Sequence, residues 1–317
     1  MKNFAAFFLK NIIILAFFAP FSGCFSSRKI SNPEISSLSA NLPTELQAAK
    51  TKLEQNKPKK ALKLLEKWIE NNQDSKVMDQ GLFLKAQALF NRKLYYQSYL
   101  VYEELLDQHG SSELFAPTLR QEVEIARRFL SGAKRRVWKI FYFSARTEGL
   151  TILERVADRW PGSELAAQAL MMQANHQFSH KRYLEAQQTY EMLVKNYKFS
   201  SHYREALLKN AQVTHALYRG CRYDTVCLHD AIIRYQAYRS AFPQEATEDK
   251  IDAIIENIKL DQAEKEHEIA DFYDRTGEKE AAQFYWNYIS RRWPDSKWAN
   301  LAQSNLNKFQ EKEQTKP

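Results

Sequence analysis

Pairs of small residues twelve positions apart recur along this chain, and they constrain its possible folds more than any other feature. Ala49 and Ala61, Ala86 and Ser98, Ala174 and Ala186, and Ala270 and Ala282 all keep the interval. From the second member of each pair, a bulky residue follows four positions on and an apolar one seven positions on. The four sets are Ala61/Leu65/Trp68, Ser98/Tyr102/Leu105, Ala186/Tyr190/Leu193 and Ala282/Trp286/Ile289. Gly149/Leu153/Val156 and Ala231/Tyr235/Tyr238 repeat the triplet without the upstream partner, and Pro161, Pro243 and Pro294 fall twelve residues after their small residue. Offsets of four and seven put side chains on one face of a helix. A small residue twelve positions upstream then fits a preceding antiparallel helix, packed closely where the two small residues meet. With 44% hydrophobic residues and only 8 Gly, the chain reads as globular and helical.

This pattern resembles the tetratricopeptide (TPR) repeat, a helix–turn–helix unit of about 34 residues ending in a proline. The expected fold is therefore all-α, a TPR-like solenoid of helical hairpins with five to six repeats over residues 43–308. The repeats are expected near 43–73, 78–110, 115–162, 164–200, 201–244 and 246–308. Solenoids of this kind hold other proteins on extended surfaces.

The N-terminus follows a different logic. Lys2 precedes the apolar run Ile12-Ile13-Ile14-Leu15-Ala16-Phe17-Phe18-Ala19, and then comes Phe21-Ser22-Gly23-Cys24. So short a stretch, interrupted upstream by Lys10, suits a secretory signal over residues 1–23 better than a spanning helix. The tetrapeptide resembles a bacterial lipobox, which implies that Cys24 is lipidated; an uncleaved anchor is the other reading. Either way the rest of the chain is exported and tethered to a membrane. Residues 24–42, rich in Ser, read as a flexible tether, and 309–317 as a polar tail. Phe25-Ser26 after the cysteine carries no Asp retention signal, which points to the outer membrane and its periplasmic face.

If Cys24 is lipidated, Cys221 and Cys227 remain, six residues apart in an oxidising compartment, and a disulfide across this loop is expected. A metal site with His229 and His215 is the alternative, but two Cys and stray His fall short of a zinc pattern, so no metal and no cofactor are expected. The formal net charge of +8 favours anionic partners or membrane surfaces, and export excludes nucleic acid.

Two repeats depart from the rule. Between Ala126 and Gly149 the third repeat carries eleven extra residues, within which runs Lys134-Arg135-Arg136-Val137-Trp138-Lys139-Ile140-Phe141-Tyr142-Phe143. The segment reads either as a lengthened second helix with Val137, Ile140 and Phe141 in the core, or as a basic-aromatic patch for lipid headgroups or an acidic partner. In the fifth repeat the insertion is the cysteine loop.

The C-terminal third carries Tyr223-Asp224, Tyr235, Tyr238 and Phe242-Pro243. It continues with the run from Ala263 to Tyr273, then Gly277, Ala281-Ala282, Tyr285 and Arg292-Trp293-Pro294-Asp295-Ser296. This order resembles the BamD family, lipoproteins of the outer-membrane β-barrel assembly machinery. The likeness is strongest over 231–306. The lysine-rich first repeat (Lys57, Lys59, Lys60, Lys63, Lys67) and the cysteine loop depart from the family. The resemblance implies a scaffold that receives unfolded outer-membrane proteins and docks to BamA for their insertion. It further implies a substrate groove along the first helices of repeats 1–3. Counting from the small residues, that groove would be lined by Leu46, Lys50 and Leu53, by Gln80, Phe83, Gln87 and Phe90, and by Arg120, Val123 and Arg127; for Phe83 and Phe90 plain inter-helix packing is the competing reading. Docking to BamA would fall to the last repeats, with Arg275, Arg291, Arg292 and Trp298 as candidate contacts or, alternatively, as the solenoid's cap.

No Gly-rich phosphate loop, GxSxG or HExxH motif occurs, so no enzyme activity is expected. Two other non-enzymatic readings remain open: an anchored envelope protein binding glycan or lipopolysaccharide through 134–139, and a periplasmic adaptor of the Tol-Pal or cell-division type.

Overall fold

The computed structural model describes residues 38, 42–137, 141–218 and 226–314. Within them, successive helices pack antiparallel in six hairpins. These are α1 (Thr44–Glu54) with α2 (Pro58–Asn71), α3 (Met78–Asn91) with α4 (Tyr95–Gln108), and α5 (Phe115–Leu130) with α6 (Arg146–Arg159). There follow α7 (Glu164–Ser179) with α8 (Tyr183–Asn196), α9 (Tyr203–Tyr218) with α10 (Val226–Ala241), and, after the short α11 (Pro243–Glu248), α12 (Ile251–Thr276) with α13 (Lys279–Arg292). A last helix, α14 (Lys297–Gln314), packs on α13 and α12. The chain is a TPR-like helical-hairpin solenoid.

The small residues do what their spacing predicts. Ala49, Ala61, Ala86, Ser98, Ala174, Ala186, Ala270 and Ala282 are all fully buried. Ser98 Oγ donates to the Ala86 carbonyl at 2.8 Å, direct contact between two positions twelve apart. Where the third repeat interrupts the interval, Gly149 still meets Ala126. A Cβ there would lie 3.1 Å from the Ala126 carbonyl oxygen and 3.1 Å from Phe129 Cβ. The bulky residue four positions on fills the space between the helices of its hairpin. Tyr102 accepts from Gln87 Nε2 at 2.6 Å, and Tyr190 donates to Asn175 Oδ1 at 2.6 Å. Gln87 and Asn175 each directly follow the small residue of the first helix, so the hydroxyl finds a partner at the same place in both repeats. The serines of Pro161-Gly162-Ser163 and Pro294-Asp295-Ser296 act alike as well, accepting from Ala166 N at 3.0 Å and Ala299 N at 3.1 Å and so satisfying an otherwise unpaired helix-start N–H.

The turns inside the repeats share one device. Residues Asn56, Lys93, Gly132, Lys181 and Gly277 have positive φ. The next amide donates back to the helix end: Lys57 N to Lys52 O, Leu94 N to Leu89 O, Ala133 N to Arg128 O, Arg182 N to Gln177 O and Glu278 N to Tyr273 O, at 2.8–3.0 Å. This is the Schellman closure, and Gly or Asn suits its left-handed residue. A lysine there costs about 1–2 kcal/mol.

One expectation is corrected. The 134–143 segment is not a longer second helix. Gly132 stops α5, and strands β1 (Lys134–Val137) and β2 (Phe141–Ser144) pair antiparallel, Arg135 opposite Phe143 and Arg136 opposite Tyr142. Ile140 lies outside the described residues. The stop is Gly132 itself, and the aromatic and β-branched run beyond it suits a strand better than a helix. Within the tail expected from residue 309, α14 continues to Gln314, and ahead of it Ala302 and Leu306 are buried against the last hairpin.

Candidate docking cleft at the last two hairpins

The helix α12 has 26 residues against 14 in its partner α13, and its length follows from serving two cores. Ile251, Ile255 and Ile258 pack with Tyr235 and Tyr238 of the fifth hairpin, whereas Ala270 packs with Ala282 and Trp286 of the sixth. At the handover α10 and α13 sit on the same helix without closing on each other. The result is a cleft of about 670 Å³ lined by Val226, Ile232, Ile233, Lys259, Glu266, Tyr288, Arg292 and Trp293, among others. Val226, Ile233 and Tyr288 stay 58%, 50% and 42% exposed. Tyr288 stands edge-on to Trp293 at 5.6 Å. Burial, against a weaker opposing effect of Lys265, raises the Glu266 carboxyl above its ordinary range. Apolar side chains together with Glu266, Lys259 and Arg292 suit a mixed apolar and polar protein segment.

Of the four candidate docking residues, Arg292 lines this cleft. Arg291 is exposed beside it, and Arg275 lies at the far end of α12. Trp298 is half-buried on α14, its ring 5.1 Å from His267 with Lys297 Nζ 4.4 Å from the ring centre, so it covers the last hairpin. The residues that line the cleft beside Arg292 carried a signal in the sequence: Ile233 and Tyr288 are large and lie off the small/bulky/apolar stripe of their helices.

The candidate substrate groove is placed differently. Leu46, Leu53, Phe83, Gln87 and Val123 are buried in the core of the first three repeats. Phe83 packs on Tyr102 at 5.7 Å and Phe90 on Tyr95 at 5.1 Å, so packing between helices accounts for both. Lys50, Gln80 and Phe90 are half-exposed and Arg120 and Arg127 exposed, with Arg127 3.5 Å from Glu124. These residues give a polar first-helix face over an interior apolar layer, and no open apolar floor.

A charged network that periodicity did not reveal ties the second repeat to the third. Glu103 on α4 receives Arg155 at 2.5 Å and Arg159 at 3.2 Å from α6, and Arg159 also meets Asp107 at 2.8 Å. Glu122 on α5 is fully buried with both carboxyl oxygens lacking a partner among these cations. Burial, then the charge of the nearby Glu103, pushes its carboxyl well above the usual range. Burial beside Glu103 thus favours the neutral form of the Glu122 carboxyl. The same burial and both carboxylates push the neighbouring Tyr99 hydroxyl up.

Cys24 and Cys221 lie outside the described residues, and Cys227 is half-buried in the first turn of α10. Among the described residues no group of three or more His, Cys, Asp or Glu is placed to hold a metal, and no helix is long and apolar enough to cross a membrane.

No family model matches the chain, and no curated protein does. Solved structures do. The C-terminal part of a TPR repeat-containing protein from Cytophaga hutchinsonii is 14% identical, covering 81% of this chain and 86% of that one, with a TM-score of 0.40. A tetratricopeptide repeat protein from Parabacteroides merdae is 10% identical over 83% and 96%, with a TM-score of 0.36. A thermophilic TPR protein from Thermus thermophilus is 11% identical over 68% and 97%, with a TM-score of 0.30. By its own packing, the chain is a TPR-like solenoid, a fold class of protein-interaction scaffolds.

Proposed function

We propose that this chain is a lipid-anchored scaffold on the periplasmic face of the outer membrane, where it docks a BamA-type barrel protein and hands on unfolded outer-membrane proteins. The observation that carries the reading is the cleft between α10, α12 and α13. It keeps large apolar side chains and Arg292 exposed within 231–306, the stretch that resembles the BamD family. Interfaces concentrate their energy in such aromatic and arginine anchors. Substrate contact is assigned to the polar first-helix face of repeats 1–3, through Lys50, Gln80, Arg120 and Arg127.

The test is co-purification of the detergent-extracted, full-length chain with BamA. Ile233→Asp with Arg292→Glu should reduce recovered BamA at least ten-fold while helical content stays unchanged, since both residues are at the surface. Wild-type protein that brings down no BamA overturns the assembly reading; equal recovery with the double variant moves docking away from the cleft.

The anchor has its own expected outcome. Several acyl chains hold a protein firmly where one binds reversibly, so Cys24→Ala should move the protein from the membrane to the soluble periplasmic fraction. Membrane recovery at the wild-type level would contradict lipidation at Cys24.

A further inference from the structure

In an up-down solenoid the turns inside hairpins gather on one edge and the connections between hairpins on the other. Neighbouring repeats touch along both edges. On the first, a pocket of about 500 Å³ joins Asn56, Lys57, Lys59 and Lys60 of the first turn to Arg92 and Leu94 of the second. Arg135 of the β-hairpin lies 4.9 Å from the Tyr96 ring at the start of α4. On the opposite edge, Glu164 accepts from Ser201 N at 3.1 Å across a repeat, and Ser112 donates to Asp79 at 2.5 Å.

The two edges differ in charge. The turns of repeats 1 to 4 read Gln55-Asn56-Lys57-Pro58-Lys59-Lys60, Arg92-Lys93-Leu94, Ser131 to Arg146, and Ser179-His180-Lys181-Arg182-Tyr183, with no acidic residue in any of them. Arg135 is tied to Glu148 and Arg182 to Glu185. Lys59, Lys60, Lys93, Lys134 and Lys181 are exposed and have no ion pair among the described residues. The opposite edge mixes signs: Asp74, Glu113, Glu164, Glu248 and Asp249 against Lys76, Lys198 and Lys250. The sixth turn, Gly277-Glu278-Lys279-Glu280, does not share the basic character.

Two further observations bear on this edge. Lys93 and Lys181 occupy the left-handed turn position with φ of 60° and 61°, where Gly132 and Gly277 stand in other repeats. Glycine suits that position, and Lys250 on the opposite edge shares the conformation with a φ of 54°, so at Lys93 and Lys181 a glycine would keep the turn and remove the charge. The β-hairpin adds Tyr142 and Phe143, 59% and 55% exposed, and aromatic side chains settle at the boundary between headgroups and acyl chains.

We propose that the intra-repeat edge of repeats 1 to 4 lies on an anionic lipid surface, with the lysines against headgroup phosphates and Tyr142 and Phe143 entering the interface. The charges are lysine point charges spread over four repeats around exposed aromatics, an array suited to a fluid lipid sheet. The anchor reading supplies the membrane's proximity, but the test does not depend on the anchor or on BamA.

Full-length chain carrying Cys24→Ala is sedimented with phosphatidylcholine vesicles, with and without phosphatidylglycerol. Binding is expected only with the anionic lipid, and it should fall as salt rises. The double substitution Lys93→Gly with Lys181→Gly removes two charges and relieves the turns, so the protein folds at least as stably while partitioning drops about ten-fold. Tyr142→Ser with Phe143→Ser should weaken binding and leave its salt dependence in place. Equal binding to both vesicle types, or anionic binding unchanged in the glycine variant, overturns the proposal. Loss of retention on a polyglutamate column by the glycine variant, with vesicle binding intact, overturns it in favour of an acidic protein partner.

Discussion

Tyr102→Ala is expected to destabilise the second and third repeats by about 3–5 kcal/mol, the range for removing a large buried aromatic. Tyr102 is fully buried, packs on Phe83 and accepts from Gln87 Nε2 at 2.6 Å. Truncation leaves a cavity between α3 and α4 and takes this partner from a buried amide. Because each repeat of a solenoid leans on its neighbours, the loss should appear in urea melts as early unfolding of the N-terminal half. Tyr102→Phe separates the two contributions. It keeps the volume and removes the hydroxyl, for a loss of about 1–3 kcal/mol. Equal destabilisation by both variants would mean that the hydrogen bond, and not the packing, holds the hairpin closed.

Glu122→Gln should stabilise the protein at pH 7 by about 1–3 kcal/mol, because the folded state must hold a carboxyl proton that the unfolded chain releases. The folded state holds the Glu122 proton well above the ordinary carboxyl range, first because of burial and then because of the Glu103 charge. The unfolded chain releases that proton near the usual glutamate pKa of about 4.3. Between these two values the unfolded state binds fewer protons than the folded one, so stability falls as pH rises through the window. It is greatest below the unfolded value with respect to this group. Glutamine cannot ionise, so the variant should lose that decline. Urea midpoints measured from pH 4.5 to 8 check it; an unchanged slope in the variant would show that Glu122 is not the group responsible.

What the sequence revealed and what it hid follow from the range of the interactions. The small/bulky/apolar triplets are local, and all six became second helices with those residues buried. The contact between Ala86 and Ser98 spans only a turn, so its interval in sequence equals its geometry in space. The β-hairpin is not legible in the sequence because Gly132 reads as one glycine in a helical insertion, when in the fold it holds the positive φ that ends α5. Glu103 and Glu122 carry no periodic mark. Their cations Arg155 and Arg159 come from α6, after the insertion, and only the stacked fold brings them together. Leu46, Phe83 and Val123 lie in the core and not in a groove, because helical phase fixes the face of a helix and not what covers that face. The cleft arises where α12 passes from one core to the next, an event of length that no single-repeat pattern contains.

The central claim, docking of a barrel protein at this cleft, is tested most directly by crosslinking in intact cells. A photoreactive phenylalanine replacing Tyr288 is the probe, and one replacing Leu64 is the control, since Leu64 is also exposed but sits on α2. The account predicts a crosslink from position 288 to a periplasmic domain of a BamA-type protein and none from position 64. A barrel protein crosslinked from 64 and not from 288, or from neither, would contradict it.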